Sequence, residues 1–284
     1  MNYTIMRALD RIATGLRSVG LGRVTRSGRR VLEQVAHQGI RVDIQGFSLM
    51  GGVRDRSFLY RAQDGLFEPH TIGLMLQALR PGAIMVDVGA YLGYYTLLAA
   101  RQVGASGRVY AFEPDPASFA WLLRNLHANE CRNVVALRKA LSHIPGTYSM
   151  YRSSSDPSRS SMAARHGWDE QFGVESETAD RCVDAQAVDV VKIDVEGAET
   201  SVLLGMSELL ARSPDPILFV ELNPTALQEN RSSQEELIGL LKTLGFQYIE
   251  RLDEEFDDHR ELQLCNLYCR RTRGNATPHE RANT

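Results

Sequence analysis

No apolar stretch in the chain reaches the roughly 18 residues that a membrane-spanning helix requires, so no transmembrane segment is expected. Cysteine is scarce: Cys131, Cys182, Cys265 and Cys269 are scattered, with no C-x-x-C pair and no signal peptide ahead of them. That usage points to a reducing, cytoplasmic compartment. Cys265 and Cys269 would share one face of a strand and read as core residues, not ligands. Positive charge is not in excess either. With 32 Lys and Arg against 35 Asp and Glu the net charge is -3, which argues against nucleic acid as a partner. What is left, 284 residues at 43% hydrophobic and 24% charged, is the composition of a globular protein able to bury a substantial core.

The most informative stretch runs from Ala83 to Arg101, AIMVDVGAYLGYYTLLAAR. Ile84, Met85, Val86 and Val88 lie in a short apolar run bounded by Pro81-Gly82 and Gly89, the pattern of a strand buried on both faces. A turn holding Gly89 and Gly93 follows, and then an apolar helix from Tyr94. Strand, glycine turn and helix start make a nucleotide-binding crevice, because glycine lets a ligand approach the backbone and the first helical N–H groups are unpaired. The next strand, Gly107 to Phe112, ends in Glu113-Pro114-Asp115. A carboxylate at that place can accept both hydroxyls of a ribose. The turn lacks the third glycine of the dinucleotide fingerprint G-x-G-x-x-G, and Asp87 stands just before it. An acid there repels a pyrophosphate and attracts an ammonium, such as the methionine end of S-adenosylmethionine. Capping of the turn is the plainer alternative for Asp87.

A second concentration of acids lies in Val188 to Leu204, VDVVKIDVEGAETSVLL. Val188 to Ile193 reads as a buried strand, Asp194 to Gly197 as a tight turn, and Ala198 onward as a helix. Asp194, Glu196 and Glu199 thus gather at the C-terminal edge of the sheet, where open α/β sheets bind ligands. Stabilisation of the helix dipole is an alternative for Glu196 and Glu199, and a poor one for Asp194. Ile217 to Glu221 is another strand ending in an acid, with Asn223 after it. Asp194, Glu221 and Asn223 together offer the oxygen ligands that magnesium takes.

The remaining segments frame these two. The first forty residues are basic and amphipathic, with Arg7, Arg11 and Arg17 between apolar positions; such a helix can rest on an anionic membrane, on a second copy or on its own domain. Gln38 to Arg61 reads as a β-rich lead-in, and a helix runs from Glu68-Pro69 to Leu79. Ser118 to Asn129 is a helix with Phe119, Leu122, Leu123 and Leu126 inward. Val134 to Leu137 is a third strand that leads to Ala140, Leu141 and Ser142, where an adenine would be held. Ser153 to Arg165 is a polar, serine-rich loop, with His166 and Trp168 beyond it. A helix starts at Ser232 or Ser233, each with a Glu three residues on. Phe246 to Glu250 and Leu262 to Arg270 close the chain as antiparallel neighbours at the far side of the sheet, joined by an acidic loop.

The chain from about Glu68 to Arg270 resembles the FkbM family of S-adenosylmethionine-dependent methyltransferases, through VDVGAYLGYYTLLAA, VYAFEPDPASF with Asn125 and Asn129 after it, and VVKIDVEGAE. The resemblance implies an α/β fold of the Rossmann-like class I methyltransferase kind, with a seven-stranded, mostly parallel sheet whose last strand is antiparallel. It divides the chain into an extension over residues 1–67, a methyltransferase domain over 68–271 and a tail over 272–284. It implies S-adenosylmethionine as cofactor, held by Glu68, Asp87, Gly89, Tyr91, Gly93, Glu113, Pro114, Asp115 and Asp194, with Ala140, Leu141 and Ser142 near the adenine. One departure is Tyr91, where the family usually has Asn, so that backbone N–H groups are left to make the turn's contacts.

The activity expected is O-methylation of a small molecule, a sugar or polyketide-type natural product. An alcohol must lose its proton during attack, so a base or a metal has to assist. Asp194 is the first candidate base, Glu196 and Lys192 are the next, and magnesium on Asp194, Glu221 and Asn223 is the metal alternative. The rival readings are a non-catalytic cofactor-binding scaffold and a nicotinamide-dependent oxidoreductase.

Overall fold

The structure, a computed structural model, describes residues 39–152, 160–161, 170–252 and 264–271. The basic amino-terminal helix, the acidic loop, His166, Trp168, the tail and most of the serine-rich segment lie outside the described residues.

The described chain opens with a hairpin of β1 (Ile40–Ile44) and β2 (Phe47–Gly51), a single 3₁₀ turn (Val53–Asp55) and helix α1 (Arg56–Gln63). Helix α2 (Pro69–Ala78) leads to β3 (Ile84–Val88), α3 (Tyr94–Val103), β4 (Arg108–Phe112), α4 (Pro116–Ala128) and β5 (Val134–Leu137). A smaller sheet follows, made of β6 (Ala140–Leu141), β7 (Gly146–Arg152), β8 (Ser160–Ser161) and β9 (Glu170–Glu177). The short α5 (Ala179–Cys182) returns the chain to β10 (Val190–Ile193), α6 (Glu199–Leu204), α7 (Ser207–Arg212) and β11 (Ile217–Leu222). Last come α8 (Pro224–Glu229), α9 (Gln234–Thr243), β12 (Tyr248–Leu252) and β13 (Cys265–Arg270).

The main sheet has seven strands in the order β12-β13-β11-β10-β3-β4-β5. β3 pairs in parallel with β4 on one side and β10 on the other, while β13 runs antiparallel to both β11 and β12. The last strand alone is therefore reversed, as expected. From β3 the chain winds outward to β4 and β5, then crosses to β10 and winds the other way. Ligands of open sheets bind at the C-terminal end of such a switch point, which puts the crevice above β3.

Alternation along the strands decides what lies on each face. Val86, Val88, Phe112, Val191, Ile193, Val220 and Leu222 pack against Val202, Leu203 and Leu209 and against Leu237 and Leu241 of α9. On the other face Met85, Val109, Val190 and Phe219 pack against Met75 and Leu79 and against Tyr95, Ala99 and Val103 of α3. Each fully buried Leu or Val contributes roughly 1.5–3 kcal/mol, so the register is strongly held. It also fixes where the polar members point. Asp87, Lys192, Glu221 and Asn266 all occur at positions of the second face, under α2 and α3.

The structure departs from the sequence reading in several places, among them strand β8 at Ser160–Ser161 within the expected serine-rich loop. Arg56–Gln63 forms α1 where a β-rich lead-in was expected, because Leu59 and Ala62, three apart, both bury against the hairpin. Leu123 is 46% exposed while Leu122 and Leu126 are buried, so α4 turns a narrower apolar stripe inward. Ala140 and Leu141 belong to a strand of the second sheet, paired in parallel with Ser176 and Glu177, where a loop was expected.

Candidate functional site

β3 ends where the backbone enters left-handed conformations at Gly89 (φ 85), Tyr91 (φ 51) and Gly93 (φ 90). At Gly89 glycine is also demanded by space: a Cβ would lie 1.8 Å from the backbone oxygen of Asp194. The glycine turn and the end of β10 are thus in contact. On the other side, Tyr91 N–H donates to Glu113 Oε2 at 2.7 Å and Asp115 N–H donates to Oε1 at 2.8 Å. Burial, reinforced by the neighbouring Asp115 and Asp87 against those two donors, pushes the Glu113 carboxyl up to about 8. Asp115 caps α4, accepting from Ala117 N–H at 2.7 Å and Ser118 N–H at 3.1 Å, and pairs with the Arg152 guanidinium. Pro114 between them is half-buried.

Below the turn lies a buried group of charges. Asp87, in register with Lys192 on β10, accepts a hydrogen bond from the Thr96 hydroxyl at 2.5 Å, and burial pushes it up to about 6. Lys192 Nζ donates to Asp194 Oδ2 at 3.1 Å and to Asn266 Oδ1 at 3.3 Å, and stands 5.3 Å from the centre of the Tyr95 ring. Burial alone would discharge this ammonium; Asp194, Glu68 and Glu221 outweigh it and raise its pKa above the ordinary lysine value. Glu68, a non-glycine residue at φ 43 at the N-cap of α2, accepts from the Tyr95 hydroxyl at 2.5 Å and from Asn266 Nδ2 at 2.7 Å. Burial raises its pKa.

One step beyond the Ile193↔Val220 pair, Asp194 and Glu221 come level at the sheet edge. Burial first, then Asp194, Glu196 and Glu199, lift Glu221 well above the usual carboxylate range. Glu199 takes Gly197 N–H at 3.0 Å on Oε1, and burial raises it to about 7. Among the described residues the buried Oε2 atoms of Glu199 and Glu221 have no hydrogen-bond partner. Glu196 adopts φ 54, and its carbonyl accepts from the Ser161 hydroxyl and Asn230 Nδ2, each at 3.1 Å. Among the described residues a single ammonium, that of Lys192, is therefore set among Glu68, Asp87, Asp194 and Glu221, so carboxyl groups outnumber cations there.

The magnesium site expected from Asp194, Glu221 and Asn223 does not fit this arrangement. Asn223 uses its side-chain oxygen to cap α8 through Ala226 N–H at 3.1 Å. The ammonium of Lys192 already sits against Asp194, at the place a cation would occupy. Among the described residues no group of three or more His, Cys, Asp or Glu side chains is disposed to hold a metal.

Ala140, Leu141 and Ser142 are buried at the junction of the two sheets, with Leu141 in the main core and Ser142 accepting from the Ser176 hydroxyl at 3.0 Å. Tyr91 turns its side chain away from Glu113: the phenol donates to Asp55 Oδ1, and the ring stands edge-on to Phe58 at 5.2 Å. Sequence reasoning missed Thr96, Tyr95, Asn266, Asp55 and Arg152. Asn266 alone had a signal, as the polar residue within the apolar strand Leu264 to Cys269; the others stand in patterns that any surface or helix could show.

The family model of the methyltransferase FkbM domain matches residues 87–248. Hexuronic acid methyltransferase AglP of Haloferax volcanii is 27% identical over 171 residues, covering 59% of this chain and 68% of AglP. Methyltransferase sdnD of Sordaria araneosa is 27% identical over 188 residues, 54% of this chain and 70% of sdnD. A protein-L-isoaspartate O-methyltransferase of Aeropyrum pernix is 35% identical over 115 residues, 38% of this chain; the chain spans only 43% of that protein.

Proposed function

The chain belongs to the FkbM methyltransferase family, and on that premise we propose that it moves a methyl group from S-adenosylmethionine to a hydroxyl of a small molecule, a sugar or polyketide-type natural product. The observation that carries the reading is the contact of Gly89 with the Asp194 backbone. It brings the glycine turn, Glu113 and the acid group around Lys192 to one crevice. In it Glu113 takes the ribose hydroxyls, and the surplus carboxylates Asp87 and Glu68 offset the donor's ammonium and sulfonium charges. The sugar part of the proposal leans on AglP, whose name gives a hexuronic acid as its acceptor.

When bound, the donor supplies an activated methyl for in-line displacement, and the acceptor oxygen must be held close and collinear. Asp194, with a side chain 31% exposed, is an accessible acid at that edge, as is the half-buried Glu196, whereas Glu199 and Glu221 are buried. Lys192 orients it through Oδ2 and leaves the other oxygen for the acceptor's proton. Lys192 itself is buried and charged, so it is a positioning group and no base. Glu196 stands next in line.

Calorimetric titration with S-adenosylhomocysteine, NAD and magnesium in turn is the first test. Micromolar binding of the first alone is expected; binding of NAD instead would favour the oxidoreductase reading. Asp194→Asn should keep cofactor affinity within a few-fold and lower turnover by about 100-fold or more, the usual share of a general base, in a mass-spectrometric screen of hydroxylated acceptors. If affinity and turnover fell together, Asp194 would be a cofactor ligand.

A further inference from the structure

The residue in the middle of the glycine turn does something other than touch a cofactor. Tyr91 is bulky and sits at φ 51, a left-handed conformation that costs a residue with a Cβ roughly 1–2 kcal/mol. Two of its contacts bear on that conformation. Its phenol O–H donates to Asp55 Oδ1, and its ring packs against Phe58 of α1. Asp55 is 7% exposed and is itself fixed, because Oδ2 accepts Gly52 N–H at 2.6 Å. The segment that carries Asp55 is pinned in turn. Asn125 of α4 accepts from Met50 N–H and donates to the carbonyls of Met50 and Leu92, all at 2.8 Å. Asn129 accepts from Ser48 N–H at 2.9 Å and donates to its carbonyl at 2.7 Å. The hairpin before α1 is thereby bolted to the helix that follows Glu113.

The consequence passes through one hydrogen bond. In this conformation the Tyr91 N–H points at Glu113 Oε2, at 2.7 Å. We infer that Tyr91 and Asp55 are positioning residues for the donor's ribose: the segment from Ile40 to Gln63 is part of the cofactor site, acting through the Tyr91 backbone on Glu113. The inference deepens the donor reading above and rests on it.

The test uses the full chain and two probes, S-adenosylhomocysteine and adenosine, which share the ribose while adenosine lacks the amino-acid arm. Tyr91→Phe removes only the hydroxyl and keeps the ring on Phe58. It should weaken both probes by the same factor, about tenfold for a lost hydrogen bond to a carboxylate. Binding is measured well below the melting temperature, so a merely structural role would lower that temperature and leave both dissociation constants in place. The double variant Tyr91→Phe with Asp55→Ala should bind no worse than Asp55→Ala alone, since both changes break one link. Should Asp55→Ala fail to fold, Tyr91→Phe decides by itself. Unchanged affinity in Tyr91→Phe, or a loss for S-adenosylhomocysteine that adenosine does not share, would overturn the inference. If the wild-type chain bound neither probe, the donor reading would fall, and this inference with it.

Discussion

Glu113 does two jobs with one carboxylate, and its environment sets a limit on each. Its oxygens already accept Tyr91 N–H and Asp115 N–H, but each has a second lone-pair direction, enough for the two hydroxyls of a ribose. Above about pH 8, where the carboxyl is ionised, replacement by alanine should therefore remove two charge-assisted ribose bonds and weaken S-adenosylhomocysteine binding by about 2–4 kcal/mol. Glu113→Gln, which keeps the volume and one acceptor oxygen, should fall between. Isothermal titration reads both; a dissociation constant within twofold of wild type in the alanine variant would move the ribose elsewhere. The same carboxylate is only 6% exposed. One of its two oxygens is held by the Tyr91 N–H, so the conformation of Tyr91 bears on it directly.

At the scale of elements, the antiparallel pair of β7 and β9 meets the cofactor side at several points, among them Glu170 with Arg54 and, through the adjoining β8, Ser161 with the Glu196 carbonyl, and the most buried of them is Arg152. Arg152 pairs with Asp115, the cap of α4, and with Glu170 across the two strands, and its guanidinium lies 5.4 Å from the Phe172 ring. Asp115 is 1% exposed in its side chain and Glu170 is 38% exposed, so most of the energy rests on the buried partner. Arg152→Ala takes the guanidinium from that acid and leaves it the cap's N–H groups, and should cost about 3 kcal/mol in urea unfolding. A loss under about 0.5 kcal/mol, the size of a surface change, would show that the cap holds Asp115 without it. The β7–β9 pair also marks where sequence reading stopped. β3, β10 and β11 were legible because buried parallel strands are continuous apolar runs ended by glycine or acid. β7 and β9 bury only Met150, Val174 and Ser176, and a polar stretch separates them, so neither periodicity nor a short turn announces the pair. In the site, Asp87, Glu113 and Asp194 could be found from their places at strand ends. Glu68 was also named from the sequence, but its meeting with Tyr95 and Asn266 depends on helices α2 and α3 and the reversed strand β13 converging on Lys192, a tertiary fact.

For the molecule as a whole, the crevice is an electrostatic debt held within the fold. Burial raises Asp87 from 3.8 to about 6, Glu199 from 4.5 to about 7 and Glu113 from 4.5 to about 8. In each case the folded chain holds its proton to higher pH than the unfolded chain does. The stability these groups contribute is then fully present below their ordinary values and is lost as pH rises through the folded ones. The ligand-free protein should accordingly melt at lower temperature at about pH 8 than at about pH 5. Asp87→Asn and Glu199→Gln should each flatten part of that slope, Asp87→Asn at the acid end of the window. A cationic donor reverses the sign of the effect, because it pairs with the ionised acids and is repaid more as they lose protons. Scanning calorimetry across that range, with and without S-adenosylmethionine, should show the stabilisation by ligand growing with pH while the ligand-free midpoint falls. A ligand-free midpoint that rose through the same window would mean that these carboxylates are ionised and paired in the fold, and that Lys192 balances more of them than its position suggests.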